Sequence, residues 1–257
     1  MGMNTSLRIA VAGGTGMVGA HVVRIVRERG HEPVVLARSS GVDLVAGTGL
    51  SAALEGVDAV IDVASTGTNA AKESIAFFEA TTSNLLAAER ERGVGHHVAL
   101  SIIGVPEAPH GYYAGKARQE ELVTASGSGW SLLRASQFHE FAVQMTRRMH
   151  VGPVVVSPVM RTQPIAATEV AEALVEIAEG APRGDAGELA GPRIESMPDM
   201  VRRYLRATGR STPVLAVPLP GAFGRALRDG TILPKPGARL GSRTFDAWLA
   251  AQAGVAS

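Results

Sequence analysis

The chain has 257 residues, and its 25 Lys and Arg against 24 Asp and Glu give a formal net charge of +1. This balance gives no electrostatic footprint for nucleic acid or an anionic membrane, and the lack of cysteine excludes disulfides, thiol nucleophiles and thiolate metal sites. No apolar run approaches the roughly 18 residues of a membrane span and the first residues lack a signal-peptide core, so we expect a cytoplasmic protein with neither membrane nor nucleic-acid partners.

Apolar, strand-like runs alternate with helix-length segments over about the first 134 residues. The predicted strands are Leu7–Val11, Glu32–Ala37, Ala59–Val63, His97–Ser101 and Trp130–Arg134, with a further short strand near Val42–Val45. The predicted helices are Met17–Arg29, Leu50–Leu54, Ala70–Arg92 and Tyr113–Ser126. This alternation is typical of parallel βαβ units and predicts an α/β Rossmann fold with a doubly wound parallel sheet.

After Arg134 the pattern is looser. Residues 181–193 are rich in Gly and Pro and are predicted to form a loop. The other predicted elements are helices at Gln137–Met149, Thr168–Glu179 (capped by Thr168), Pro198–Thr208 and Arg243–Gln252, and strands at Val154–Val156 and Val214–Val217. We therefore predict an NAD(P)-binding Rossmann domain over residues 1–150 and a smaller, interleaved substrate-covering region over residues 151–257.

A glycine-rich turn joins the first predicted strand to the first helix. Gly13, Gly16 and Gly19 follow the strand at GxxGxxG spacing. The first glycine permits a tight turn, the second lets the backbone approach a phosphate, and the third lets helix and strand pack closely. The helix N-terminus offers free N–H groups to an anion. The turn, including Thr15 and Met17, therefore predicts a dinucleotide pyrophosphate site.

The end of the second strand bears on the choice of cofactor. NAD-binding sites usually have an acidic residue here, whereas this chain has Arg38. A guanidinium can hold a 2′-phosphate through two parallel hydrogen bonds, although an arginine at a strand end is also often only solvated. We predict NADP(H) in preference to NAD(H). Asp43 is a further candidate, for the adenine amino group, while Asp62 either lies near the cofactor or caps residues 64–66.

A second signal lies in the segment GYYAGKARQEEL. Tyr112 and Lys116 are four residues apart and share one face of a helix, where an ammonium near the phenol would lower its pKa. Lys116 would also hold the nicotinamide ribose. Ser101 ends the predicted strand His97–Ser101 and could bond a substrate carbonyl. Tyr113 is a competitor for the role of the tyrosine, but it would face about a quarter turn away.

Two further groups have both structural and functional interpretations. Phe138 and His139 follow the strand that ends at Arg134, where a substrate pocket should open, and they are candidate substrate contacts. A hydrogen-bonded structural histidine is the alternative for His139. His96 and His97 are adjacent just before a strand, so their side chains are expected to point to opposite faces, which is a poor geometry for chelation; we expect them to pack at the strand edge and predict no metal site.

Four segments together resemble one superfamily: VAGGTGMVG, TSNLLAAERERGVGHHVALSIIGV, YYAGKARQEELV and SGWSLLRASQFHEF. They are similar to the atypical short-chain dehydrogenase/reductases, and more closely to their NmrA-like, NAD(P)H-binding branch. The resemblance covers about the first 145 residues well. It implies phosphate glycines at Gly13, Gly16 and Gly19, a 2′-phosphate-reading residue at Arg38, and the family's Tyr and Lys at Tyr112 and Lys116. The serine of the superfamily sits slightly later than Ser101 in extended members.

These signals lead to alternatives from different classes. The leading prediction is an NAD(P)H-dependent oxidoreductase, monomeric or homodimeric, that transfers hydride to a small apolar carbonyl or quinone-like substrate. The alternative is a non-catalytic NADP(H)-binding redox sensor of the NmrA-like type, and a third possibility is a sugar-nucleotide or isomerase-type enzyme. Because both Tyr112 and Lys116 are present, and a sensor needs neither as a proton donor, the sequence favours an enzyme.

Overall fold

The structure, a computed structural model, describes residues 6–255, with side chains described for residues 6–252. The chain forms two compact units. Unit 1 comprises the chain up to Ser101 together with Pro109–Arg134 and Thr168–Gly187, and unit 2 comprises the remaining segments. The chain passes between the units several times, so neither is one continuous stretch. The division near residue 150 stays a prediction.

Strands and helices alternate through most of the described chain. The strands are β1 (Arg8–Ala12), β2 (Glu32–Leu36), β3 (Ala59–Asp62), β4 (His96–Ile102), β5 (Trp130–Ala135), β6 (His150–Val151), β7 (Val154–Pro158), β8 (Arg161–Thr162), β9 (Gly184–Ala190), β10 (Glu195–Ser196), β11 (Val214–Val217) and β12 (Arg239–Leu240). The helices are α1 (Met17–Glu28), α2 (Leu50–Ala53), α3 (Ala71–Arg92), α4 (Tyr112–Thr124), α5 (Phe141–Arg148), α6 (Ala167–Ala178), α7 (Met197–Ala207), α8 (Gly221–Asp229) and α9 (Phe245–Val255), with a 3₁₀ turn at Arg38–Ser40. Within residues 6–255, no helix is both long enough and apolar enough to cross a membrane.

A seven-stranded sheet has the order β12-β9-β5-β4-β3-β1-β2. Strand β1 pairs in parallel with both β2 and β3, and β3 pairs in parallel with β4. The predicted α/β fold with a Rossmann-like parallel sheet is confirmed. Because the order of strands reverses at β1, the carboxyl end of β1 lies at a topological switch point, where ligands bind in such sheets.

The central strands are buried because helices cover parallel sheets on both faces. Ile9, Ala10, Val11 and Ala12 of β1 are completely buried. On one side, an aliphatic cluster packs strands β1–β3 against α2 and α3; its largest fully buried members are Leu36, Leu50, Leu54 and Leu85. This apolar core fixes the first strand, and therefore the turn that follows it.

Several predicted elements were wrong. The strand predicted near Val42–Val45 is a turn, because an oxygen of the Asp43 carboxylate accepts the N–H groups of Val45 and Ala46. The predicted loop at residues 181–193 contains strand β9, whose glycines suggested a loop but which pairs with β12 in the sheet. Helix α8 was not predicted. Helix α6 begins at Ala167, so Thr168 lies inside its first turn and does not cap it.

The start of helix α5 also differs from the predicted one. The sequence predicts a helix from Gln137, but α5 begins at Phe141. The carbonyl of Gln137 accepts the N–H of Ile165, and the N–H of His139 is donated to the carbonyl of Ile165. These bonds pair Phe138 with Ile165 in a parallel β-bridge, so the helix cannot begin before them.

A buried ion pair joins helix α3 to strand β4. The Nδ1 atom of His97 lies 2.8 Å from a carboxylate oxygen of Glu89, and both side chains are almost completely buried. Burial disfavours the charged imidazole, but the charge and hydrogen bond of Glu89 and the charge of Asp62 raise the pKa of His97. The pair therefore stabilises the fold chiefly in its charged form.

This pair makes the unfolding free energy depend on pH. Because the folded-state pKa of His97 is raised above 6.5, the stabilisation is fully present below that value and is lost as the pH rises through the folded-state pKa. We expect Glu89→Gln to lower the unfolding free energy by on the order of 1–3 kcal/mol near pH 6, and by less near pH 9, in urea titrations.

The control variant is Glu91→Gln, which changes an exposed carboxylate on the same helix. It should cost little at either pH. If Glu89→Gln lowered the unfolding free energy by the same amount at both pH values, His97 would be neutral in the folded protein.

Candidate functional site

The turn between β1 and α1 has the geometry of an anion site. Gly13 has a φ of +78°, and the N–H of Gly16 is donated to the carbonyl of Gly13 at 2.9 Å. Helix α1 begins at Met17, and no side-chain hydrogen bond caps it at Gly16. Thr15, Gly16 and Met17 are exposed. The first N–H groups of the helix are therefore available to an anion from solvent.

The turn is held by contacts between backbone atoms. A Cβ atom on Gly19 would lie 2.1 Å from the carbonyl oxygen of Gly13, and one on Gly13 would lie 2.9 Å from the carbonyl oxygen of Val63. Only glycine fits at both positions. This absence of side chains leaves the bare backbone that a pyrophosphate needs, so the residues present fit a dinucleotide.

Arg38 and Asp43, which are predicted to contact the adenosine end of the dinucleotide cofactor, lie after β2. Arg38 is exposed at the start of the 3₁₀ turn, and among the described residues its guanidinium has no hydrogen-bond or ion-pair partner. Asp43 is half-buried, and one of its carboxylate oxygens is used in the turn that replaces the predicted strand. Arg38 is thus accessible to a phosphate, whereas Asp43 also stabilises the turn through its carboxylate.

Tyr112 lies at the first position of helix α4, next to the turn that follows β3. Its hydroxyl is 2.9 Å from the hydroxyl of Ser65, and its ring packs edge-on against Phe78 at 5.6 Å between centroids. Burial raises the pKa of Tyr112, the hydrogen bond to Ser65 opposes this change, and the charge of Asp62 adds to it. The phenol therefore remains protonated at neutral pH.

Lys116 points into the interior of unit 1. Its ammonium donates hydrogen bonds to the carbonyl of Leu100 at 2.9 Å and to the side-chain oxygen of Gln119 at 2.8 Å. It also lies 4.4 Å from the centroid of the Phe78 ring. Burial lowers the pKa of Lys116 to about 8, against the opposing charges of Asp62 and Glu120. The predicted lowering of the Tyr112 pKa by this lysine is wrong, because the desolvation of the phenol is the largest effect.

The buried carboxylate of Asp62 completes this network. One of its oxygens accepts the N–H of Ala64 at 2.9 Å, and the other accepts the Gln119 amide at 2.7 Å. Asp62 therefore has the local capping contact, which was one of its two predicted roles. A chain of hydrogen bonds runs from Asp62 through Gln119 to Lys116.

Ser101 lies near the end of β4 and is buried. Its hydroxyl donates to the carboxylate of Glu120, which is also bound to the guanidinium of Arg134 at 2.6 Å. In this structure the Ser101 hydroxyl is thus part of a buried ion-pair network. Ser65 is the serine whose hydroxyl contacts Tyr112.

The two predicted substrate residues belong to unit 2. His139 is completely buried, its Nε2 atom lies 3.1 Å from the carbonyl of Arg243, and its ring lies 5.6 Å from that of Phe245 and 5.9 Å from that of Trp248. These contacts fit the structural alternative for His139. Phe138 is half-buried and forms a backbone bridge with Ile165.

Sequence reasoning missed two residues of the site, Ser65 and Gln119. Gln119 stands three residues after Lys116, on the same face of α4, so helical spacing could have suggested it. Ser65 follows Asp62 at the carboxyl end of β3, which is the ligand-binding edge of the sheet. No motif singles out either residue.

The contact between Gly19 and Gly13 leads to a test of the predicted binding loop. Gly19→Ala forces the turn to move, since the new methyl group meets backbone that cannot rotate away. We expect the affinity for NADPH, measured by calorimetry, to fall by about tenfold or more.

Gly95→Ala is the matched control for this substitution. The nearest atom to its Cβ would lie 3.9 Å away, so it should bind NADPH as the wild type does. An unchanged affinity in Gly19→Ala would show that this turn does not hold the nucleotide.

Comparison with solved structures shows the fold. The chain is similar to the UDP-N-acetylglucosamine 4-epimerase of Bacillus cereus, with a TM-score of 0.68 and 19% identity over 98% of this chain and 96% of that one. It is also similar to the NADPH-dependent quinone oxidoreductase QOR2 of Escherichia coli, with a TM-score of 0.66 and 14% identity over 95% and 99% of the two chains.

Sequence comparison gives one partial relative and a family. The chain is 33% identical over 120 residues to the photosystem II assembly factor Ycf39 of Synechocystis sp. (strain ATCC 27184 / PCC 6803 / Kazusa). That match covers 40% of this chain and 36% of the relative, so it spans only about a third of the relative's length. Residues 13–180, more than half of the chain, match the family described as NAD(P)H-binding. The chain therefore belongs to this NAD(P)H-binding family, and its resemblance to the atypical short-chain dehydrogenase/reductases is confirmed.

Proposed function

We propose that this protein is an NADPH-dependent oxidoreductase that reduces a small, largely apolar carbonyl or quinone-like compound. When bound, the reduced nicotinamide supplies the hydride. The observation that carries the proposal is the protonated, partly accessible Tyr112 phenol beside the Ser65 hydroxyl. A reduction needs a proton for the new alkoxide, and a group that holds its proton at neutral pH is suited to donate it.

The contacts of unit 1 connect this phenol to the glycine turn. The backbone of Gly13 lies against Val63 and Ala64, and the next residue, Ser65, bonds to Tyr112. We infer that Tyr112 donates the proton and that Ser65 orients the phenol. Ser101 remains a candidate to form a hydrogen bond with the substrate carbonyl. Because its hydroxyl already donates to Glu120, however, Ser65 is favoured for this contact as well.

We infer that Lys116 acts from within the protein. Its ammonium lies one helical turn after Tyr112, and both side chains contact the ring of Phe78, so Lys116 helps to position the phenol through this shared ring. Gln119 and Asp62 hold the ammonium in place. For Lys116 also to contact the nicotinamide ribose, one of the three N–H donors of its ammonium must point away from Leu100 and Gln119.

We also propose that NADP(H) is preferred over NAD(H), in a cytoplasmic protein. Support for this preference comes from Arg38, which is exposed and unpaired among the described residues and occupies the position where NAD-binding sites usually have an acid. The alternative candidate function is a redox sensor. It is favoured by the hydrogen bonds of Lys116 and Ser101, which tie both side chains to the protein interior.

Substitution of the tyrosine distinguishes these functions. Tyr112→Phe removes the proton donor but keeps the ring, so we expect kcat for NADPH oxidation with a panel of quinones and aldehydes to fall by roughly 10²–10⁴-fold. The dissociation constant for NADPH should change little.

The adjacent Tyr113 is buried and provides the matched control, Tyr113→Phe, which should retain its turnover. Undiminished turnover in Tyr112→Phe would exclude Tyr112 as the donor. Tight NADPH binding without turnover of any compound in the panel would instead favour the sensor.

The preference for NADP(H) is tested at Arg38. Arg38→Asp replaces a cation with a group that repels the 2′-phosphate, so we expect the affinity for NADPH to fall by about tenfold or more while that for NADH falls less. Arg27→Asp, at an exposed arginine of α1, is the charge-matched control. Equal losses for both nucleotides in Arg38→Asp would contradict a 2′-phosphate contact.

A further inference from the structure

Tyr112 is supported from two directions by one buried carboxylate, that of Asp62. Asp62 ends β3 and is completely buried, and each of its two oxygens accepts one hydrogen bond. Each of these bonds begins a series of contacts that ends at Tyr112. Among the described residues, the carboxylate forms no hydrogen bond with the phenol itself, so its effect on Tyr112 is indirect.

The shorter series runs through the backbone that follows β3. One oxygen of Asp62 accepts the N–H of Ala64 at 2.9 Å. The next residue, Ser65, has its hydroxyl 2.9 Å from that of Tyr112. The same backbone lies against the glycine-rich turn, since a Cβ atom on Gly13 would be 3.0 Å from the nitrogen of Ala64. The position of the Ser65 hydroxyl therefore depends on the first oxygen of Asp62.

The longer series runs through side chains of α4 and α3. The second oxygen of Asp62 accepts the Gln119 amide at 2.7 Å. The oxygen of that amide accepts a hydrogen bond from the Lys116 ammonium at 2.8 Å. The ammonium lies 4.4 Å from the centroid of the Phe78 ring, and the ring of Tyr112 packs edge-on against the same ring. The two series thus reach Tyr112 at different points, its hydroxyl and its ring.

The Gln119 amide can bridge these groups in one orientation only. Its oxygen must face the ammonium of Lys116, which can only donate, and its NH₂ group must face an acceptor. An ionised carboxylate at position 62 is such an acceptor, whereas the NH₂ group of an asparagine there would be a second donor. The charge on Asp62 therefore determines whether the ammonium keeps this partner.

We propose that Asp62 is a positioning residue, whose two hydrogen bonds hold the Ser65 hydroxyl and the Lys116 ammonium and thereby place the Tyr112 phenol. The proposal rests on the proposed function, in which Tyr112 donates the proton. Because Asp62 acts through other residues, we expect it to affect turnover more than nucleotide binding.

Charges around Lys116 allow this arrangement to be followed by titration. Burial lowers the pKa of Lys116 to about 8, and the charges of Asp62 and Glu120 oppose this change. Two other titratable groups, His97 of β4 and Tyr112, face Asp62; burial is the largest effect on the pKa of each, and the charge of Asp62 raises both. Loss of the Asp62 charge should therefore lower the pKa of Lys116 further.

Nuclear magnetic resonance of labelled lysine side chains measures this titration directly. The chain has only three lysines, which are Lys72, Lys116 and Lys235. Lys72 and Lys235 are exposed, so Lys72→Arg and Lys235→Arg assign the signal of Lys116. This measurement needs neither a substrate nor a nucleotide.

Asp62→Asn tests the longer series alone. It keeps an oxygen for the N–H of Ala64 but presents an NH₂ group to Gln119. We expect the titration midpoint of Lys116 to fall by about one pH unit. We also expect kcat for NADPH oxidation to fall by roughly tenfold, because a small displacement of a reacting group is costly. The dissociation constant for NADPH should stay within about twofold of the wild type.

The double variant Asp62→Asn/Gln119→Glu restores the bridge with its polarity reversed. The asparagine then donates to one oxygen of the new carboxylate, and the other oxygen accepts a hydrogen bond from Lys116. Because the negative charge now touches the ammonium, the Lys116 midpoint should rise above that of the wild type, and most of the lost kcat should return. A purely structural role for Asp62 would not reverse the direction of this shift.

Asp58→Asn is the matched control. The Asp58 carboxylate directly precedes β3 and also accepts a backbone N–H, that of Arg8 at 2.7 Å, but it is exposed at the opposite end of the strand. The Lys116 midpoint and kcat should both remain those of the wild type. Thermal unfolding checks that each variant folds. Gln119→Met, which removes the bridging amide and should also lower the Lys116 midpoint and kcat, replaces Asp62→Asn if that variant does not fold.

Four results would overturn the proposal. These are an unchanged Lys116 midpoint in Asp62→Asn, an equal change in Asp58→Asn, a double variant whose midpoint stays below that of the wild type, or full turnover in Asp62→Asn when Tyr112→Phe has lost it. If the wild type reduces no compound in the panel, the proposed function fails by itself. The lysine titration then still decides whether Asp62 holds the ammonium through Gln119.

Discussion

The close approach of backbone at Gly13 and Gly19 is the constraint on which the rest of the site depends. A side chain at either position would meet a carbonyl oxygen, so the turn after β1 exists only because both residues lack a Cβ atom. Gly13 lies directly against the backbone of Val63 and Ala64, and this segment continues into Ser65. These two steric requirements shape the glycine-rich turn and place it next to the segment whose Ser65 contacts the Tyr112 phenol.

Buried polar contacts hold helix α4 at this edge of the sheet. Lys116 is tied to β4 through Leu100, and its partner Gln119 is tied to Asp62 of β3. Glu120, on the next position of the helix, bonds to Arg134 of β5. Burying such groups costs free energy unless every partner is present, so these contacts favour one placement of α4 over others. The proposed proton donor begins this helix and takes its position from them.

The sequence predicted local structure well where short-range sterics decide it. The strand, glycine turn and helix at Leu7–Arg29, and the placement of Tyr112 and Lys116 on one helix, are set by spacing and conformational preference. Prediction from the sequence failed where contacts with residues distant in the chain determine the local structure. Strand β9 has glycines typical of a loop, yet pairing with β12 makes it a strand. The contacts of Ser101 and Lys116 also depend on residues far away in the chain, and no local pattern encodes them.

By itself, the sequence determined the Rossmann-like sheet and the glycine-rich turn after its first strand, because both rest on periodicity and on glycine at fixed positions. Only the tertiary structure decided which hydroxyl meets Tyr112 and where the Lys116 ammonium points. These contacts join residues that lie far apart in the chain, as do the paired strands β7 and β11, which more than fifty residues separate.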